Sequence, residues 1–158
     1  MATETGDELA GVVDLFGALT RDELERALDE LAFKRGEAAD DGAVGDAVDA
    51  AIDGYYLVAV DREGTTLLAP GPVAFPSLPE GAEDLPHILD VPNREVDPGA
   101  LVDPAERRLR ADAAQAADAG DADRIERLLD VSYDLETWGS TDVSDVRSRL
   151  DDAIENRN

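Results

Sequence analysis

The sequence contains no cysteine, which excludes disulfide bonds and thiolate metal sites. It also lacks any long hydrophobic run, and its longest apolar stretches, such as Tyr55–Val60, are too short to cross a bilayer. Residues 1–10 have neither the basic nor the apolar region of a signal peptide. We therefore expect a soluble, cytoplasmic protein with no membrane partner.

Basic charge is scarce. A single lysine, Lys34, and 13 arginines stand against 38 acidic residues, so the formal net charge is −24. Repulsion on this scale is largely screened in molar salt, where the Debye length is about 3 Å. Because 43% of the residues are apolar, we expect a folded domain with an acidic surface and not a disordered chain. The composition resembles that of cytosolic proteins from salt-accumulating haloarchaea, which implies a halophilic, archaeal source.

Proline is absent outside one window, since all eight prolines lie between Pro70 and Pro104. Proline lacks a backbone donor and fixes φ, so this window is predicted to be neither regular helix nor central strand. Its many apolar residues indicate that it packs against folded structure. We predict a first unit over residues 1–69, a proline-rich crossing over 70–103 and a C-terminal helical unit over 104–158.

The first unit is predicted to contain three helices followed by a β-hairpin. Apolar residues at helical spacing mark helices over Leu9–Leu19 and Val44–Ile52. Between them, Thr20–Glu23 has the pattern of a capping box that opens a second helix. Tyr55–Val60 and Thr65–Ala69 are predicted strands around a four-residue turn.

The C-terminal unit is predicted to be wholly helical. Asp103 and Pro104 have the character of an N-cap and a first helical residue. A break at Gly120 separates this helix from a second one, and a break at Gly139 separates the second helix from a last one over Val143–Ile154. The fold class is therefore α+β.

The order of elements over residues 8–69 resembles a winged helix-turn-helix domain. This resemblance implies that the third helix enters the major groove and that the hairpin contacts the DNA backbone. The predicted third helix, however, carries Asp46, Asp49 and Asp53 and no basic residue. Phosphate binding depends on lysine and arginine. The turn before this helix adds further acids, namely Glu37, Asp40 and Asp41. The pattern favours a scaffold for protein contacts over conventional duplex reading.

The basic residues available for nucleic acid or an acidic partner fall into two groups. A pair at the end of the second helix and one residue at the hairpin tip belong to the first unit, and five arginines lie in the C-terminal unit. The arginines of the second group could converge on a phosphate if their helices pair, or they could form ion pairs within the chain. The candidates are Lys34, Arg35, Arg62, Arg107, Arg108, Arg110, Arg124 and Arg127.

No constellation specifies a catalytic site, a cofactor site or a metal site. His87 is the single histidine, which makes a poor transition-metal site without further nitrogen or sulfur ligands. Its pairing with Ser77 as base and nucleophile is unspecific. Adjacent carboxylates carry little information in so acidic a chain. Tyr133 and Trp138 are expected in the core, with an interface anchor as the alternative.

These patterns favour a non-enzymatic scaffold for protein interaction or regulation in a halophilic cytosol. A protein partner or self-association is expected. The alternative is a transcription-associated nucleic-acid-binding protein that uses the basic candidates at high salt. A metal-free hydrolase built around His87 is a more distant third.

Overall fold

The computed structural model describes residues 6–36 and 41–155. These residues form two compact units that divide between Asp97 and Pro98. Helices combined with a two-stranded antiparallel hairpin confirm the predicted α+β class. Within the described ranges, every helix is too short or too polar to span a lipid bilayer.

The first unit contains three longer helices, a hairpin and two short helical turns. Its elements are α1 (Gly6–Phe16), α2 (Arg21–Lys34), α3 (Asp41–Asp53), β1 (Leu57–Arg62), β2 (Thr65–Pro70), a 3-10 helix (Ala82–Asp84) and α4 (Leu85–Ile88).

Leu19 does not extend the first helix, so the prediction for this residue was wrong. Helix α1 ends at Phe16 because Gly17 adopts a left-handed φ of 86°. Leu19 instead forms a single antiparallel bridge with Leu68 of β2. Its amide donates to the Leu68 carbonyl at 3.1 Å and its carbonyl accepts from the Leu68 amide at 2.7 Å. The turn between α1 and α2 is thereby joined to the hairpin.

The capping box at the start of α2 is confirmed. The Glu23 amide donates to Thr20 Oγ1 at 3.2 Å, and the Thr20 amide donates to Glu23 Oε1 at 2.9 Å. These two bonds satisfy donors that the first helical turn would otherwise leave without partners.

The hairpin is longer at its tip than predicted. Glu63 and Gly64 form a two-residue turn with φ values of 53° and 81°, which suits the twist of antiparallel strands. The strands therefore run up to Arg62 and from Thr65, which pair directly. At the other end of the hairpin, β1 begins two residues later than predicted, because Tyr55 adopts a left-handed φ of 66°, which lies outside the strand region. The Tyr55 side chain is buried.

Apolar residues from all three long helices and the hairpin form the core of the first unit. The proline-rich segment contributes Ala82 and Leu85, which are fully buried, and its Leu89 and Val91 are partly buried against this core. This confirms that the segment packs on folded structure. The expectation of no regular helix there was wrong at α4. The buried core residues are Leu9, Ala10, Val12, Val13, Phe16, Leu19, Leu24, Ala27, Leu28, Leu31, Val48, Ala51, Leu57, Leu68, Ala82 and Leu85.

The second unit consists of three helices, α5 (Pro98–Ala119), α6 (Ala122–Gly139) and α7 (Ser144–Glu155), each of which packs against the other two. The predicted break and cap at Gly120-Asp121 is confirmed, since Asp121 accepts from the Arg124 amide at 3.2 Å.

The predicted start of this helix at Pro104, capped by Asp103, was wrong, because α5 begins at Pro98 and contains Pro104. Residues 98–103 of the predicted crossing are therefore helical as well. Pro104 removes one backbone donor, the one that would bond the Ala100 carbonyl. The extra turn buries Leu101, which continues the stripe of Ala105 and Leu109. Burial of that side chain offsets the missing hydrogen bond.

Candidate functional site

The outward face of α3 is acidic, as its sequence requires. Asp46, Asp49 and Asp53 are exposed. Arg21 of α2 contacts this face, and its Nη1 lies 2.7 Å from Asp49 Oδ1. Hydrogen bonds with Asp49 and then Glu25 raise the pKa of Arg21. The helix that would read a duplex therefore presents carboxylates, and the guanidinium beside it is already paired.

Lys34 and Arg35 join the end of α2 to the proline-rich segment. Lys34 Nζ donates to the Gly81 carbonyl at 3.1 Å and to Asp84 Oδ2 at 3.2 Å. Arg35 Nη2 donates to the Glu80 carbonyl at 3.0 Å. Both basic side chains hold the segment in place.

The hairpin tip and the end of the first unit enclose an open, polar groove of about 490 Å³. The Arg62 side chain crosses the groove, and its Nη1 donates to the Glu95 carbonyl at 2.8 Å. The lining residues are Arg62, Glu63, Thr65, Leu67, Arg94 and Glu95. Its carboxylates balance its guanidinium groups, so the groove offers no net positive charge to a phosphate.

Arg94 is the residue that the sequence reading missed. Its Nη1 donates to Glu23 Oε1 at 2.6 Å and to the Ala18 carbonyl at 3.1 Å, and its Nη2 donates to Glu23 Oε2 at 3.1 Å. The Arg94 amide donates to the Phe16 carbonyl at 2.8 Å. A signal existed, because Arg94 is the single arginine or lysine of residues 70–97.

The guanidinium group of Arg94 holds the pKa of Glu23 below its ordinary value, and the backbone hydrogen bond from Thr20 acts in the same direction. Glu23 in turn raises the pKa of Arg94. One carboxylate thus closes the capping box of α2 and anchors the last residues of the first unit.

Three of the five candidate arginines of the second unit form ion pairs within the chain. Arg110 points to α7, where Nη1 lies 2.6 Å from Asp145 Oδ2. Arg108 and Arg124 share the Asp112 carboxylate at 3.5 and 3.4 Å. These three guanidinium groups therefore contact carboxylates of the chain itself.

Arg107 and Arg127 are different from the other arginines of their group. Both are exposed, and neither forms an ion pair within the described part of the chain. They are the two arginines of the C-terminal group whose charge is open to a partner.

The described side chains do not form a metal-binding cluster. His87 is exposed on the short helix α4. In residues 6–36 and 41–155, no group of three or more histidine, aspartate or glutamate side chains is arranged to hold a metal ion. Glu37 and Asp40 lie outside the described residues.

Tyr133 lies on the surface of α6, where the prediction of a core position was wrong. Its side chain is 59% exposed, and the Arg147 guanidinium stacks 4.4 Å from its ring centroid. Arg147 also pairs with Glu136 at 2.7 Å. Trp138 is half-buried near the end of the same helix. Helix α6 turns Val131, Ser132 and Leu135 inward, which leaves Tyr133 on its outer side.

Large apolar side chains remain exposed on the first unit. Phe33 is 77% exposed on α2, and Phe75 is 83% exposed on the proline-rich segment. Leu78 and Ile88 on the same segment are about half exposed, at 48% and 46%. Single exposed apolar residues are normal on protein surfaces, but Phe75 and Leu78 lie only three residues apart on the same segment.

The profile of DUF7109, a family of unknown function, matches residues 7–155, which is nearly the whole chain. The chain belongs to the DUF7109 family. No curated protein and no solved structure shows significant similarity to this DUF7109 member. The match extends through both compact units.

Proposed function

We propose that this DUF7109 protein is a non-enzymatic module for protein interaction or regulation that works in a high-salt, haloarchaeal-type cytosol. Its first unit has a winged-helix-like arrangement. The order of α1, α2, α3 and the hairpin supports this, together with the Leu19–Leu68 bridge. The bridge ties the hairpin to the turn between the first two helices, as a wing packed on a helical core requires.

The charge of α3 is the observation that carries the proposal. Duplex binding requires a helix that brings cationic side chains to phosphates and donors to base edges. Here three exposed aspartates occupy the helix and Arg21 is held by Asp49. Lys34 and Arg35 contact the proline-rich segment. The same fold, with a negatively charged surface on its third helix, suits contact with a protein.

The proposed environment follows from the net charge of −24. Like charges at this density destabilise a compact state in dilute buffer, and molar salt screens them. The internal pairing of so many of the few arginines fits this view, because it places positive charge where it neutralises the chain's own carboxylates.

A pair of binding measurements tests the proposal. The purified chain is titrated against a fluorescent DNA duplex at potassium chloride concentrations from millimolar to molar, and we expect no binding at any of them. In parallel, the tagged chain is purified from native lysate in molar salt, and light scattering measures its own assembly state. We expect a stoichiometric protein partner or a defined oligomer. A strictly monomeric chain with no partner would contradict the proposal.

Nucleic-acid binding is the second candidate, and the open charges of Arg107 and Arg127 favour it. Under this alternative, duplex binding is detected and the double variant Arg107→Ala/Arg127→Ala abolishes it. The variant Arg108→Ala is the control, since its guanidinium already contacts Asp112. Duplex binding that survives the double variant would exclude these two residues as the contacts.

A further inference from the structure

The proline-rich segment crosses α1 and is held there by two backbone amides. The Phe75 amide donates to Asp7 Oδ1 at 3.0 Å, and the Ser77 amide donates to the Asp7 carbonyl at 3.1 Å. Asp7 therefore fixes the position of this stretch on α1.

Helix α1 accommodates the segment because Gly11 has no side chain. A Cβ placed on Gly11 would lie 2.0 Å from the Ser77 carbonyl oxygen, so only glycine permits the observed approach. The backbone of the segment lies directly on the helix.

The opposite side of the segment presents its apolar groups to solvent. Phe75 is 83% exposed and Leu78 is 48% exposed, and Pro76 between them is exposed as well. Pro79 is buried and ends the presented stretch. Leaving a phenylalanine and about half of a leucine in water forgoes the stabilisation that burial of this apolar surface would give.

The backbone of this stretch cannot accept an added β-strand. Phe75 and Ser77 already use their amides, and Pro76 has no amide proton. Recognition must then run through side-chain pockets. Proline-containing segments held in this way dock into grooves lined by aromatic residues, because an ordered extended ligand loses little entropy on binding.

Charge complementarity further defines the partner. The segment continues into Glu80 and Glu83, both of which are exposed. A groove that covers Phe75 and Leu78 therefore meets carboxylates at one end, and lysine or arginine on its rim would complement them.

We propose that residues 75–78 form a docking peptide, displayed on α1, for a protein with an aromatic-lined groove and a basic rim. This inference rests on the proposed function, because it names the surface through which the protein interaction takes place. Phe75 and Leu78 fill the pockets of the partner, and Pro76 keeps the peptide extended between them.

Site-specific photo-crosslinking tests this assignment with the full chain. The probe is the purified protein with p-benzoylphenylalanine at position 75, irradiated in native lysate at molar salt, and the crosslinked peptide is sequenced by mass spectrometry. Unlabelled competitor chains in excess are wild type, the double variant Phe75→Ser/Leu78→Ser, and Phe33→Ser. Phe33 is the matched control, because it is an equally exposed phenylalanine on α2.

We expect a crosslink to another protein, at a peptide that contains aromatic residues with lysine or arginine close by. Wild type and Phe33→Ser should suppress it, whereas the double variant should not. With that protein purified, Phe75→Ser should raise the dissociation constant at least about tenfold and Phe33→Ser should leave it within about twofold. Thermal unfolding should be unchanged by Phe75→Ser, which separates lost docking from lost folding.

The contrary outcomes are distinct from one another. A partner that co-purifies with wild type and with the double variant equally would overturn the docking peptide and leave the proposed function standing. A crosslink from position 75 to a second copy of this chain would replace the partner groove with self-association. Absence of both a crosslink and a co-purifying partner would overturn the docking peptide and the proposed function together.

Discussion

Arg94 and Glu23 form a two-pronged ion pair across 71 residues of sequence, with nitrogen–oxygen distances of 2.6 and 3.1 Å. The Glu23 carboxylate also accepts the Thr20 amide. The pair therefore joins the start of α2 to the last residues of the first unit.

Truncation of Arg94 should lower the free energy of unfolding more than truncation of a solvated arginine. Glu23 is only 16% exposed, so Arg94→Ala leaves a partly desolvated carboxylate without its main donor. We expect a loss of about 2–3 kcal/mol in urea unfolding at molar salt. Arg127→Ala, at an exposed arginine, should change stability by less than about 0.5 kcal/mol. Equal effects of the two substitutions would show that the ion pair contributes nothing.

Acid should weaken the first unit through Glu23. Hydrogen bonds from Arg94 lower the pKa of Glu23 in the folded state below its ordinary value of 4.5. The stabilisation is complete above the unfolded-state pKa and is lost as the pH falls through the folded-state value.

The matching comparison is Glu23→Gln, which removes this titration. The stability difference between wild type and Glu23→Gln should shrink as the pH is lowered below about 4.5. Urea midpoints for both proteins across the acidic range measure it. Asp134 acts in the opposite sense, because burial and then Asp130 raise its pKa, and subtraction of the variant curve cancels its contribution. A difference that stays constant with pH would contradict the assignment.

Two glycines inside helices should respond oppositely to alanine. Gly45→Ala meets its nearest side-chain atom, Arg21 Nη2, at 3.8 Å, which is ordinary contact, so it should stabilise α3 by about 0.5–1 kcal/mol. Gly11→Ala should destabilise by about 1–3 kcal/mol, because its methyl group would collide with the Ser77 carbonyl. Thermal unfolding of both variants measures the contrast. A stabilising Gly11→Ala would mean that the proline-rich segment does not press on α1.

Salt should stabilise the whole protein. Screening of a net charge of −24 favours the compact state, so the circular-dichroism melting temperature should rise from millimolar to molar potassium chloride. A gain of about 2 kcal/mol would correspond to a rise of roughly 4–8 °C for a chain of this size. A flat or falling melting temperature would contradict the halophilic interpretation.

Local sequence signals predicted most of the secondary structure because they act over a few residues. The capping box at Thr20–Glu23 and the cap at Asp121 depend on neighbouring amides, and both formed as expected. The spacing of Leu19 is compatible with a helix, but it does not exclude the strand bridge that Leu19 forms. The partner in this bridge, Leu68, is remote in sequence. Pro104 wrongly predicted a helix start, because proline is common at the first helical position. Its place inside α5 depends on the burial of Leu101, which local sequence does not reveal.

The arrangement of the candidate residues was less predictable, because ion pairs depend on which helices meet. Arg110 finds Asp145 on a different helix, and Lys34 finds Asp84 on the proline-rich segment. The acidity of α3, by contrast, follows from its own sequence, so it could be predicted without knowing which helices meet. The role of Arg94 was not predicted because the carboxylate that it binds, on Glu23, is 71 residues away in the sequence.

The reciprocal bonds between Leu19 and Leu68 should make the first unit open as a single cooperative block. They close a chain loop that contains α2, α3 and β1, so none of these elements can open far while the bridge persists. Both leucines are buried, and their amide protons are shielded from water on each side. Their deuterium exchange should then report on global opening of the block, whereas the amides at the hairpin tip exchange through local fraying.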